Sequence, residues 1–193
     1  MLKPVRIVDP TDTPVSLEEA RAHCQVDFTD EDDLIKAYIA SATDYLDGYT
    51  GILGRALMPQ TWRFSFECFE SCLRLPLVPV GSVVVKYYDG SIADQELSAS
   101  VYQLLEDALS PRVSLALNQS WPGTVAARED AVRIEAVCGY EDASKVPAAI
   151  KQAILLLVGH WFKNREAVVI GQTPIELPLG AKALLSPWRH RAA

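Results

Sequence analysis

The sequence predicts an α+β fold: a helical bundle that carries a small antiparallel β-rich insertion between its second and third main helices and ends in an extended C-terminal arm. Three observations predict it. Apolar residues recur at helical spacing between residues 16 and 46, and the period changes to two between Gln60 and Cys138. An almost wholly apolar helical tract, Val146 to Arg165, then precedes a stretch rich in Pro and Gly. The organisation expected is one domain over residues 1–165, with the insertion at about 60–140, and an arm over 166–193 for docking a partner.

The first helix is announced by Ser16-Leu-Glu-Glu19, a capping box in which the Ser hydroxyl accepts from the Glu19 N–H and the Glu carboxylate reaches back to the Ser N–H. It should run to about Gln25. Thr29 is placed to cap a second, longer helix whose first turn, Asp30-Glu-Asp-Asp33, complements the positive end of the helix dipole. Ile35, Tyr38, Ile39, Ala42, Tyr45 and Leu46 form its buried stripe, and Gly48 or Gly51 ends it. The acidic cluster lacks the Gly turn and terminal Glu of a calcium loop.

From Gln60, residues Trp62, Phe64, Phe66 and Cys68 alternate with polar neighbours as in a half-buried strand. Ser82 to Tyr88 reads as a second strand ending at the turn Asp89-Gly90, with shorter strands at 101–105 and 112–116 and a clean alternation at 132–138. Together they make one small antiparallel sheet. Trp121, in the loop Asn118 to Gly123, is expected to cover the sheet's end.

The third helix starts near Pro147, where the missing N–H removes nothing a helix needs. Ile150, Ala153, Ile154, Leu157 and Trp161 form one stripe, which suits the subunit's own core. Leu155, Leu156, Val158 and Phe162 lie partly outside it and, with Trp161, are the residues expected at a subunit interface, because so small a domain rarely needs a helix this apolar on every side. After Arg165 the chain reads as an arm with a short helix from Ala181 to Leu185. Leu184, Leu185, Pro187, Trp188, Arg189 and Arg191 are its expected docking residues, since Trp and Arg are the types most enriched at binding hot spots.

Charge and composition narrow the function classes. The net charge is −7, yet Lys145 to the C-terminus carries a balance of +5, leaving −12 on the first 144 residues. An acidic body argues against gripping nucleic acid through its phosphates, while a basic tail suits an acidic protein surface. The longest apolar run, Ala153 to Gly159, is far shorter than the about 20 residues of a membrane span. Charged and proline residues follow the basic start Met1-Leu-Lys-Pro-Val-Arg6 where a secretory signal has its apolar core, so synthesis and assembly in the cytoplasm are expected. Cys24, Cys68, Cys72 and Cys138 form no CxxC pair and are expected to be buried or half-buried thiols, with no metal site and no cofactor. No phosphate loop, HExxH or GxSxG occurs, and His23, His160 and His190 lie far apart, so no enzyme is expected. His160, beside Trp161, is read as a packed or interface histidine because no motif places a nucleophile or carboxylate with it.

The ordered series Val15-Ser-Leu-Glu-Glu-Ala-Arg21, Leu75-Pro-Leu-x-Pro-Val-x-Ser-Val83, Tyr87-Tyr-Asp-Gly90, Val132-Arg-Ile-x-Ala-x-x-Gly-Tyr140, Val146-Pro-x-x-Ile-Lys-Gln-Ala-Ile-Leu-Leu-Leu-Val-x-His-Trp161, Asn164-Arg-Glu-Ala-Val168 and Leu177-Pro-x-Gly-x-x-Ala-Leu-Leu-x-Pro-x-Arg189 resembles the head-tail connector (adaptor) proteins of tailed phages, over nearly the whole chain. The resemblance implies a structural protein of the virion's head-tail junction, in a phage, a prophage or a gene transfer agent. It implies a homo-oligomeric ring, usually dodecameric, that binds the portal protein, lets DNA pass without specific binding and docks a stopper or other tail-side neck protein. The alternatives it leaves open are another neck component, a stopper or tail-completion protein, and a DNA-packaging accessory.

Overall fold

The computed structural model describes residues 1–107, 110–123, 125–165 and 179–190. The capping box forms as expected: the Glu19 N–H donates to Ser16 Oγ at 3.1 Å and the Ser16 N–H to Glu19 Oε2 at 2.8 Å. Helix α1 spans Leu17–Cys24 and stops at Gln25, which is left-handed (φ 59°) and returns its N–H to the Ala22 carbonyl.

Helix α2, Asp32–Leu46, begins later than the acidic run suggests. Its N-cap is Glu31 with no side-chain cap; Thr29 contributes only its carbonyl, which accepts the Asp32 N–H at 3.1 Å. The run is divided by competing cations, because Glu31 pairs with Arg165 at 2.6 Å and Asp32 with Arg21 at 3.4 Å. Ile35, Ile39, Ala42 and Leu46 are buried, whereas Tyr45 is exposed. The helix ends just before Gly48, the Asp47 N–H donating to the Thr43 carbonyl.

Helix α3, Ala148–Lys163, has Pro147 immediately before its first residue. Against it pack α1, α2 and a C-terminal helix α4, Leu179–Leu185, which continues into a 3-10 turn at Ser186–Trp188. Ile35, Ile39, Leu46, Leu53, Leu57, Ile150, Ile154, Leu157 and Val158 make the core they share. Each such fully buried aliphatic side chain contributes about 1.5–3 kcal/mol relative to exposure.

The strands form two sheets, where the alternation alone suggests one. Strands β1 (Val5–Val8), β2 (Gln60–Phe66), β4 (Val80–Tyr88), β5 (Asp94–Glu96) and β8 (Val132–Cys138) make a five-stranded sheet in the order β1-β2-β8-β4-β5, with every neighbour antiparallel. Strands β3 (Leu73–Arg74), β6 (Tyr102–Leu105) and β7 (Arg112–Leu115) make a three-stranded sheet in the order β3-β7-β6. The physical reason is the inner row of the larger sheet. Trp62, Phe64, Phe66, Ile134 and Ala136 are too apolar to face water, and Leu73, Leu75, Leu77 and Val113 cover them in a second core. β2 ends at Phe66, so Cys68 is exposed rather than half-buried as the alternation implies. Trp121 stacks on Phe69 at 4.7 Å between ring centroids and donates to the Glu70 carbonyl at 3.0 Å.

Asp47 ties the helical layer to the sheets. Its carboxylate, at the C-terminal end of α2, accepts the Leu57 N–H at 2.6 Å and the Gln60 amide at 3.0 Å, and Gln60 in turn accepts the Trp62 indole N–H at 2.9 Å. Arg6 of β1 approaches the same carboxylate at 3.4 Å with its guanidinium 5.9 Å from the Trp62 ring centroid.

Candidate assembly surfaces

The interface residues expected on α3 divide once the helix is seen in place. Val158 is a correction: it is completely buried in the subunit's own core and offers nothing to a neighbour. Leu155, Leu156, Trp161 and Phe162 are half-buried, each packed against that same core. Their cover comes from this chain. Trp161 lies 6.2 Å from Tyr38 of α2, Phe162 lies under the Arg165 guanidinium at 5.1 Å, and a side chain built on Gly180 of α4 would meet Leu156 at 3.6 Å. The apolar surplus of α3 is therefore largely absorbed by α2 and by the returning C-terminal helix.

The second set is corrected in the same sense. The described part of the expected extended arm is helical and docked, with Ala181 and Leu185 buried against α3, so Leu185 is a core residue rather than a docking residue. Leu184 and Trp188 are half-buried on the same core, and Pro187 and Arg189 are exposed. Arg191 and residues 166–178 lie outside the described residues. The end of the segment is held by the loop after α2. Arg55 Nε donates to the Trp188 carbonyl at 2.6 Å with its guanidinium 5.7 Å from the indole centroid, and the His190 N–H donates to the Leu53 carbonyl at 2.7 Å. Gly54 sits between these anchors at φ 61°, where a Cβ would lie 2.7 Å from the His190 carbonyl oxygen. Burial, then the nearby Arg55 charge, lower the His190 pKa.

Sequence reasoning did not find Arg55, Gly54 or Leu53, because a loop of Gly and small apolar residues carries no periodicity that points to a partner 130 residues away. It also did not find β1. The five residues between Pro4 and Pro10, four of them in the strand, are too short a run for alternation to register.

Among the described residues none of the large apolar side chains left exposed belongs to α3: Leu179 begins α4, Leu2, Val5, Ile7 and Val8 belong to the N-terminal strand segment, and Val84 and Val137 to the same sheet. The register places Val5, Arg63, Glu135 and Val84 in one row across four strands, and Val8, Thr61, Val137 and Ser82 in the next. Glu135 is held in its row by Lys86 at 2.8 Å and Arg63 at 3.9 Å. At the other end of the sheet both the Arg128 and Arg133 guanidiniums lie 4.0 Å from the Tyr88 ring centroid, and they pair with Asp130 and Asp94 respectively.

Among the described residues no group of three or more His, Cys, Asp and Glu is arranged to hold a metal ion, and no helix is long and apolar enough to cross a membrane. Burial pushes the Cys138 thiol up to about 12, which keeps it from acting as a thiolate nucleophile at neutral pH.

Comparison with known proteins points in one direction. No curated protein matches the sequence. The fold is similar to a chain in the "Neck of empty GTA particle computed with C6 symmetry", with a TM-score of 0.78 and 21% identity, covering 100% of this chain and 97% of that one. It is similar to one in the "Virion of native gene transfer agent (GTA) particle", with a TM-score of 0.79, 21% identity and the same coverage. A chain in the "Neck of native GTA particle computed with C12 symmetry" gives a TM-score of 0.66 at 19% identity, covering 97% of each. Residues 14–103, which run from before α1 through α2, the Asp47 junction and the strands as far as β6, match the phage gp6-like head-tail connector protein family, the family that the ordered sequence series resembles.

Proposed function

We propose that the protein is a head-tail connector subunit: a structural component of the neck of a phage-like particle, a gene transfer agent in the first instance, that assembles with further copies of itself into a ring. The single observation that carries this reading is the agreement of two independent matches, the connector family over residues 14–103 and a likeness to neck and virion chains of gene transfer agent particles over essentially the full length. The ring is supported by the six-fold and twelve-fold symmetry of those neck structures, and twelve subunits is the number proposed. The bundle formed by α1, α2, α3 and α4 is its helical body, and the two sheets are built from the strands between α2 and α3 together with β1, which precedes α1.

The finer roles follow from what the subunit leaves uncovered. The exposed parts of Leu155, Leu156, Trp161 and Phe162 contribute to contacts between subunits, and Leu184, Pro187, Trp188 and Arg189 present the C-terminal segment to the portal. A stopper or other tail-side protein docks on the opposite side, and DNA passes through the ring without specific contacts. Assembly takes place in the bacterial cytoplasm. The test is the particle mass of the full chain alone and mixed with an isolated portal ring, with the symmetry of any ring read by electron microscopy. A twelve-subunit ring that forms on the portal is the expected result, and failure of the chain either to form rings or to bind a portal overturns the reading.

A further inference from the structure

We infer that the five-stranded sheet is a subunit-subunit contact in which the open edge of β1 in one copy receives the β5 end of the sheet in the next. The inference rests on the ring reading above and deepens it by naming the two surfaces. A ring needs a heterologous contact, made of two different patches on each subunit, since a self-complementary patch closes at two copies.

The first patch is β1. It pairs with β2 on one side only, and among the described residues no strand pairs with its other side. All four of its residues are exposed, Val5 at 56% and Val8 at 54%, and Leu2 and Ile7 are exposed beside them. Edge strands that must stay free are blunted by charge, proline or a covering segment. Here the strand's only cation, Arg6, is paired within its own subunit, with Asp9 at 2.7 Å and with Asp47 at 3.4 Å, and the strand's other three side chains are apolar.

The second patch is the hairpin that joins β4 to β5 at the opposite end of the same sheet. Ile92 stands at its tip, 64% exposed and at φ 64°, a left-handed conformation that β-branched residues rarely adopt. The tip is rigid, because Asp89 accepts from the Ser91 N–H, the Ser91 hydroxyl, the Ala93 N–H and the Gln95 amide at 2.8–3.2 Å. An apolar side chain held outward by so much hydrogen bonding serves no purpose inside its own subunit. A partner that binds it finds it already ordered. Charge agrees at one point, since β5 carries exposed Glu96 and β1 is preceded by exposed Lys3, whereas Asp94 is paired with Arg133 of its own sheet.

Direction agrees as well. Four antiparallel steps separate β1 from β5, so the two edges run the same way. Copies related by rotation about a ring axis then bring β5 of one beside β1 of the next, and among the described residues no strand pairs with the outer edge of either until they meet.

The experiment uses the full chain under conditions where the wild type forms rings, alone or on an isolated portal ring. Val8→Lys and Ile92→Asp each change one exposed side chain, and each should lower the fraction of ring at least tenfold by mass photometry while the thermal midpoint stays at the wild-type value. Leu117→Lys alters a side chain that is 87% exposed but belongs to neither patch, and it should assemble as the wild type does. Amide hydrogen exchange at residues 5–8 and 92–96 should slow on assembly. Rings that form normally with Val8→Lys overturn the inference and leave the connector reading standing. Loss of rings with Val8→Lys but not with Ile92→Asp overturns the pairing of β1 with β5. A wild type that forms no ring under any condition overturns the connector reading and this inference with it.

Discussion

Asp47 is the residue on which the most structure converges. It is buried at the end of α2, and it links the Leu57 backbone, the Gln60 amide and the Arg6 guanidinium. Burial raises its pKa, and that outweighs the lowering by its hydrogen bonds to Gln60 and Leu57 and by the Arg6 charge. The sign follows from linkage: a carboxyl whose pKa is higher folded than unfolded supports the fold fully below its unfolded value, and that support is lost as pH rises through the folded value. Asp47 alone therefore makes the protein less stable at neutral pH than below the ordinary carboxyl value of 3.8. Asp47→Asn keeps an acceptor for the Leu57 N–H and removes the charge, so its unfolding free energy in urea should lack this contribution to the fall with rising pH. Asp47→Ala leaves the Leu57 N–H and the Gln60 amide without partners and should lower stability by about 2–4 kcal/mol in the same titration.

At the scale of elements, the C-terminal helix changes what the sequence suggests about α3. The stripe Ile150, Ala153, Ile154 and Leu157 is legible because spacing fixes one face, and all four are buried. The spacing carries no information about what covers the flanks, so Val158 and Leu185 read as free when both are in fact buried in the core that the helices share. The strands divide in the same way. The alternation along β2 and β8 is visible in the sequence, but the separation into two sheets depends on which apolar row is covered by Leu73, Leu75 and Leu77, a long-range choice that local period does not encode. The exposed edge at β1 was hidden by its brevity. One consequence can be measured at the loop that holds α4. Gly54→Ala places a Cβ 2.7 Å from the His190 carbonyl at a positive φ, so the two penalties act together. The C-terminal segment should undock, with trypsin cleaving after Arg189 several-fold faster, the Trp188 emission shifting to the red and overall stability falling by about 1–3 kcal/mol. Arg55→Ala should release the Trp188 carbonyl and accelerate the same cleavage without the backbone strain.

For the molecule as a whole, the uneven charge distribution bears on whether the proposed ring would hold DNA or let it pass. The chain carries −12 over its first 144 residues and +5 thereafter, and the fold brings part of the basic end back onto the acidic body. Lys151 pairs with Glu19 at 2.7 Å and Arg165 with Glu31 at 2.6 Å, which leaves Lys145, Lys163, Lys182 and Arg189 as exposed cations of the described C-terminal region. The bond from Lys151 also lowers the pKa of Glu19, so that pairing persists at neutral pH. Duplex DNA is bound by neutralising a row of phosphates, each contact releasing counterions and steepening the salt dependence. Four dispersed cations on a protein of net charge −7 cannot supply such a row, and assembly into the proposed ring would multiply the acidic excess with the basic one. The chain should therefore fail to retard duplex DNA in a gel at about 50 mM salt, where electrostatic binding is strongest, and assembled rings should fail equally. A retarded band that weakens as salt rises would mean that cations collect on one face only after assembly, and DNA would then be held by the ring rather than passed through it.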